Sequence, residues 1–263
     1  MTSQPHDALF KVGFGQPEHA APLLSRLLPP ALVREVDWST LKLESASVVD
    51  PSLASRHGDL LFSASIRDSR LYVITIVEHQ SRNVYRMCLR SLGYIVRRWE
   101  REAKPGEPLP LILAVVVSHA PEGWTSPVHM HELVAPAPAS LEGVAELVPG
   151  FRIVVHDLAR TTDEQLEALS LPALPKLTLW ALRDGRNPEL LLGGIVRFVD
   201  ELRELSGSAA LAELLRYVWL VCEDAHHEQF TKVIREQVPE LERQTMTIAE
   251  ELIQRGRVEG RVE

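Results

Sequence analysis

Asp59-Leu-Leu-Phe-Ser-Ala-Ser-Ile-Arg-Asp-Ser-Arg-Leu-Tyr-Val-Ile-Thr-Ile-Val-Glu78 holds two apolar runs, Leu60 to Ile66 and Leu71 to Val77, around the polar segment Arg67 to Arg70. Two β-rich runs joined by so short a polar link read as a β-hairpin. A turn centred on Asp68 and Ser69 sets Asp59 opposite Glu78. Two carboxylates facing each other across a strand pair repel unless a positive charge lies between them. A divalent cation supplies that charge. Period-two alternation puts Gln80 on the face of Glu78 and turns His79 away. The hairpin therefore presents Asp59, Glu78 and Gln80 as one cluster at a sheet end. Oxygen donors of this kind suit Mg²⁺ or Mn²⁺ rather than Zn²⁺. Such an ion activates water and stabilises charge on a phosphoryl oxygen. The competing reading gives both acids ordinary strand-end positions, and a one-residue slip in register would favour it.

The helix that follows is strongly basic. Arg82, Arg86 and Arg90 recur every four residues, and Arg97 falls near the same stripe. From Arg82 to Arg101 there are six Arg and one Glu, a local +5 within a total of −8. A cation at the reacting group with guanidinium groups on neighbouring phosphates is what a phosphodiester requires. A solvated helix face paired with surface acids is the alternative.

Outward from this centre, Leu111 to Val117 reads as another strand and Phe151 to His156 as a further one, with a proline-rich loop, Ala120 to Pro138, between them. Upstream, His6 to Leu28 reads as two helical pieces broken near Gly15 to Pro17. After Asp163 the pattern turns helical, over Thr161 to Leu171, Lys176 to Arg183, Glu189 to Leu205 and Ala209 to Val221. The order implies an α/β fold: an antiparallel meander feeding a crossover helix, then a helical region and a charged tail helix from Glu240. The expected division is 1–160, 161–239 and 240–263. The tail's apolar stripe, including Leu241, Met246, Ile248, Ala249, Leu252 and Ile253, suits either a solvated terminal helix or an oligomerisation helix.

The whole chain, 263 residues and 45% hydrophobic, can bury a sizeable core. Its net −8 argues against wholesale wrapping of nucleic acid, yet leaves the local basic helix intact. Cys88 and Cys222 lie in apolar stretches and suit a reducing compartment, so the cytoplasm is expected. No leader-like apolar segment is seen at the start, and the longest apolar run has strand length rather than a bilayer span. No membrane partner is expected.

His6-Asp7-Ala-Leu-Phe-Lys11, Leu28-Pro-Pro, Asp37 to Leu41, the Asp59 strand, Glu78-His-Gln-Ser81, the helix Met87 to Glu100 with Tyr94-Ile-Val-Arg-Arg-Trp99, and the strand Leu109 to Val117 together resemble the Rpn/YhgA-like transposase family. These are also called recombination-promoting nucleases and are members of the PD-(D/E)XK superfamily. Glu78-His-Gln-Ser81 is the most specific part. The resemblance implies a restriction-endonuclease-like core and Mg²⁺-dependent cleavage of the DNA backbone in recombination. On it, Asp59 matches the motif's first Asp, Glu78 its second acid, and Gln80 the position usually held by Lys. The His79 carbonyl is a further metal ligand on this reading. Gly58 stands where the superfamily has Pro, and Gln80 supplies no charge where Lys would. The alternative is a catalytically attenuated DNA-binding or assembly protein that retains the fold.

Other candidates are weaker. Asp7 reads better as a helix cap than as a site acid. Asp157 reads as an ordinary strand-end residue. His129 and His131 alternate as metal ligands do, without companions at useful spacing. Trp124, in the loop, is the one aromatic considered for contact with nucleic acid.

Overall fold

The computed structural model describes residues 5–44, 59–78, 85–222 and 224–259, without the side chains of Val77, Glu78, Asp224 and 255–259. The chain divides into two compact units. One is Gly15–Thr161, and the other joins Met1–Phe14 to Thr162–Glu263.

In the first unit a five-stranded sheet runs in the order β1-β2-β3-β4-β5. The strands are β1 Val36–Leu43, β2 Leu60–Ile66, β3 Ser69–Glu78, β4 Leu111–Ser118 and β5 Val154–Asp157. β1, β2 and β3 are antiparallel neighbours, whereas β3, β4 and β5 are parallel. A tight turn permits only the antiparallel arrangement, and a parallel neighbour needs a crossover. The Met87–Glu102 helix supplies it between β3 and β4. The expected meander, crossover helix and mixed sheet are all present.

β3 lies at the centre of the sheet and is covered on both faces, so Leu71, Tyr72, Val73, Ile74, Thr75 and Ile76 are all buried. That is why its sequence runs apolar without alternation. Against one face, the Met87–Glu102 helix buries Met87, Cys88, Ser91, Tyr94, Ile95 and Arg98. These meet Tyr72, Ile74, Ile76, Ile112 and Val116 in one core. The Pro17–Leu27 helix lies beside β1 and buries Ala20, Leu23 and Leu24.

The hairpin turn departs from expectation by one residue. Ile66 pairs with Ser69 and Leu60 with Thr75, so the turn is Arg67-Asp68 and the ladder moves by two positions. Asp59 is therefore not opposite Glu78. Arg67 has φ 46°, in the left-handed region that turns normally fill with Gly or Asn. No such residue marks the position, and polarity alone could not locate it. A shift of two preserves the alternation of the ladder, so the expected parity survives while the facing pair does not.

Trp124 is 8% exposed and belongs to the core under the Met87–Glu102 helix, which overturns its reading as a nucleic-acid contact. The loop that carries it packs inward.

The second unit is helical. The Pro5–Phe14 helix packs with those of Ala173–Asp184 and Ala209–Val221. Phe10, Phe14, Leu177, Trp180 and Leu214 are buried. Close approach is built in by glycine: a Cβ at Gly13 would lie 2.2 Å from the Thr178 hydroxyl oxygen. The expected helix Glu189 to Leu205 is instead two, Pro188–Arg197 and Val199–Glu204. Phe198 leaves helical geometry between them and sets its buried ring 5.9 Å from that of Trp180. The tail helix, Glu242–Glu259, turns Thr245, Ile248 and Ala249 inward, while Met246 and Ile253 stay 38% and 47% exposed. Part of its apolar stripe is thus used within the chain.

Candidate active site

Because β2 runs against β3, the start of β2 lies at the same sheet end as the carboxyl ends of β3, β4 and β5. Open α/β sheets bind ligands at such ends. Asp59 immediately precedes β2 and Glu78 closes β3. Along the parallel ladders Glu78 pairs with Ser118, and Ser118 with Asp157. Four polar residues therefore mark one end of the sheet.

Asp59 is held by the basic helix. Arg90 Nη2 donates to Asp59 Oδ2 at 3.0 Å and to Oδ1 at 3.3 Å. The Tyr94 hydroxyl donates to the same Oδ2 at 3.0 Å, and Arg90 Nε donates to the Tyr94 oxygen at 2.8 Å. These contacts close a ring. The Arg90 and Asp59 side chains are only 15% and 10% exposed. Burial by itself lowers a guanidinium's affinity for its proton, but the Asp59 charge and Tyr94 outweigh it and the Arg90 pKa rises. Burial, with Asp59 behind it, also raises the Tyr94 phenol, so both groups hold their protons as donors. Arg90 belongs to the basic stripe read from the sequence, and its guanidinium turns toward the sheet. Arg86 is exposed at the start of the helix.

Arg98 also points inward. Its guanidinium lies 4.1 Å from the centre of the Tyr72 ring, and Nη2 bonds Glu102 at 2.7 Å. Two arginines of the basic helix are therefore committed within the unit. The sequence marked their charge but not their direction.

At the far end of the row, Asp157 accepts from the backbone N–H of Trp124 at 2.8 Å and lies 3.3 Å from Arg160 Nε. Its Oδ1 and the Ser118 hydroxyl are buried without a hydrogen-bond partner among the described residues. Buried polar atoms normally find partners, so these two stand out at the sheet end. Sequence reasoning passed over Ser118 and ranked Asp157 low, because neither lies in the hairpin. Asp59 and Asp157 stand at this end at the tips of strands that are not neighbours, with β3 and β4 between β2 and β5.

No three His, Cys, Asp or Glu side chains converge as a metal group among the described residues. His79, Gln80 and Arg82 lie outside them, as does the Glu78 side chain. His129 pairs with Arg152 in an isolated bridge, and His131 packs beside Gly150. The Pro5–Phe14 helix, with Asp7 buried in it, clusters with the helical unit. No described helix is long and apolar enough to cross a membrane.

The first unit is thus a mixed sheet with acids at one end and a basic helix against it. The model described as "Putative transposase, YhgA-like" matches residues 4–206. The chain belongs to this family. It is 31% identical to Recombination-promoting nuclease RpnD of Escherichia coli O157:H7, over 95% of each chain. It is 29% identical to Inactive recombination-promoting nuclease-like protein RpnE of Escherichia coli K12, over 97% of this chain and 83% of that one. Recombination-promoting nuclease RpnA of the same strain is 32% identical, over 46% of this chain and 42% of its own length. No solved structure matches the chain.

Proposed function

We propose that the protein is a Mg²⁺- or Mn²⁺-dependent DNA endonuclease acting in recombination, with a restriction-endonuclease-like core in Gly15–Thr161. The observation that carries this reading is the sheet end, where the start of β2 brings Asp59 beside the carboxyl end of β3 and Glu78. The family supports it, since RpnD and RpnA are named recombination-promoting nucleases. Asp59, Glu78 and the His79 carbonyl would hold the cation, and Gln80 would orient the attacking water or a phosphate oxygen by hydrogen bonding. Arg82 and Arg86 take neighbouring phosphates. When bound, the ion supplies positive charge and a water acidic enough to attack near neutral pH. In the hydrolysis, water oxygen bonds to phosphorus as the bond to the leaving sugar oxygen breaks, and that oxygen takes up a proton.

The neutral amide of Gln80 supports a second reading, in which the fold binds DNA without cutting it; RpnE, a relative over most of the chain, is named inactive. Self-association through the exposed Met246 and Ile253 of the tail helix fits either reading. Plasmid nicking with Mg²⁺ separates the first two. Loss of cleavage in Asp59→Ala and Glu78→Ala supports the nuclease, and equal cleavage by wild type and variants overturns it. Salt-dependent DNA binding with no metal-dependent cleavage favours the second reading.

A further inference from the structure

We infer that Arg90 is an exchangeable counter-ion on Asp59: a divalent cation takes over the carboxylate, and the guanidinium then serves a DNA phosphate. The inference rests on the nuclease reading and assigns a positioning role to a residue of its own site. Arg90 and Tyr94 sit one turn apart on the Met87–Glu102 helix and meet Asp59 through three hydrogen bonds of 3.0 to 3.3 Å. Tyr94 uses its hydrogen on Asp59 and its oxygen to receive Arg90 Nε at 2.8 Å, so it aligns both partners. The pair is largely shielded from water, with 15% and 10% of the side chains exposed. Shielding strengthens the attraction between Arg90 and Asp59. It strengthens equally the repulsion between Arg90 and any cation on the same carboxylate.

Cation binding without DNA is therefore opposed by Arg90. A phosphate arriving at the sheet end relieves that opposition, because a guanidinium pairs with phosphate as well as with carboxylate. Cation and DNA should then bind with positive coupling, each tightening the other by the same factor.

The test is calorimetric titration of Mn²⁺ into the full chain, with and without a short DNA duplex, for wild type, Arg90→Met, Arg90→Lys and Asp59→Ala. In wild type the duplex should tighten Mn²⁺ binding by about fivefold or more. Arg90→Met should bind Mn²⁺ about tenfold more tightly than wild type without DNA, and lose most of the coupling. Arg90→Lys keeps the charge and should stay near wild type in both respects. A merely structural Arg90 gives the opposite sign: its loss disorders Asp59 and weakens Mn²⁺ binding. Unchanged or weaker binding in Arg90→Met, where wild type binds and Asp59→Ala does not, overturns this inference alone. The same tightening in Arg90→Lys overturns it too, since charge would not be the cause. Mn²⁺ binding that is absent from wild type and Arg90→Met, or unaffected by Asp59→Ala, overturns the metal reading along with it.

Discussion

Arg90–Asp59 in the sheet unit and Arg183–Asp184 in the helical unit use the same chemistry to different ends. Arg183 grips Asp184 with Nε and Nη2, each at 2.7 Å, and reaches Asp163 as well. Its side chain is 11% exposed and that of Asp184 3%. Arg197 joins the same network at Asp163 and Glu167, so the pairs stitch helix to helix. Arg90 and Asp59 are almost as buried, but Asp59 begins a strand at the end of a sheet whose polar row continues through Ser118 to Asp157. Burial and pairing alone do not mark a site. Topology separates the two cases.

The sharpest way to break this contrast is a pair of substitutions. On the proposed function, Asp59→Asn should reduce cleavage by more than about 100-fold, because it removes the charge proposed to hold the cation. Asp184→Ala should leave cleavage intact but cost roughly 1–3 kcal/mol in denaturant unfolding, since the buried Arg183 loses two charge-assisted hydrogen bonds while keeping Asp163. Loss of cleavage by both, at full folding, would erase the distinction.

A smaller effect tests the packing of the helical unit. A Cβ at Gly194 would lie 1.9 Å from Trp180 Nε1, so Gly194→Ala should lower stability by about 1–3 kcal/mol in the same unfolding assay.

pH distinguishes the sheet end in turn. Burial pushes the His156 imidazole below its ordinary 6.5, against the opposing pull of Asp157. The folded state therefore holds His156 neutral where the unfolded chain would protonate it. Its contribution is complete above pH 6.5 and is lost as pH falls from there toward the lower folded value. Denaturant midpoints compared above and below that pH should fall on the acid side in wild type, and this part of the fall should be absent in His156→Asn.

The smallest effect is on reactivity rather than stability. Burial pushes the Cys88 thiol up to about 11, so iodoacetamide at neutral pH should leave it unlabelled in the folded chain and label it after denaturation.

Much of this architecture was legible in the residues. Leu60 to Ile66 and Leu71 to Val77 announced the hairpin, and Ala209–Val221 matches the helix expected from its apolar spacing. Such patterns are local: they follow from the periods at which strands and helices expose side chains. The hairpin register was not legible, because Arg67 takes a left-handed conformation that its residue type does not advertise. Asp59 could be nominated from its place before a strand, yet its partner could not. Arg90 read as one member of a basic stripe, with nothing in its spacing to show that it would turn onto Asp59.

Apolar runs of strand length and apolar residues at helical spacing give an α/β chain with acids at strand ends, a basic crossover helix and a helical region beyond. Strand ends and helix faces need only neighbouring residues to define them. The tertiary structure alone sets Arg90 and Tyr94 on Asp59, buries Trp124, and extends the row from Glu78 to Asp157. Those placements depend on how β3 pairs with β2 and β4 and on which helix face meets the sheet. Residues far apart in the chain settle them together, through packing and the demand that buried charge be compensated.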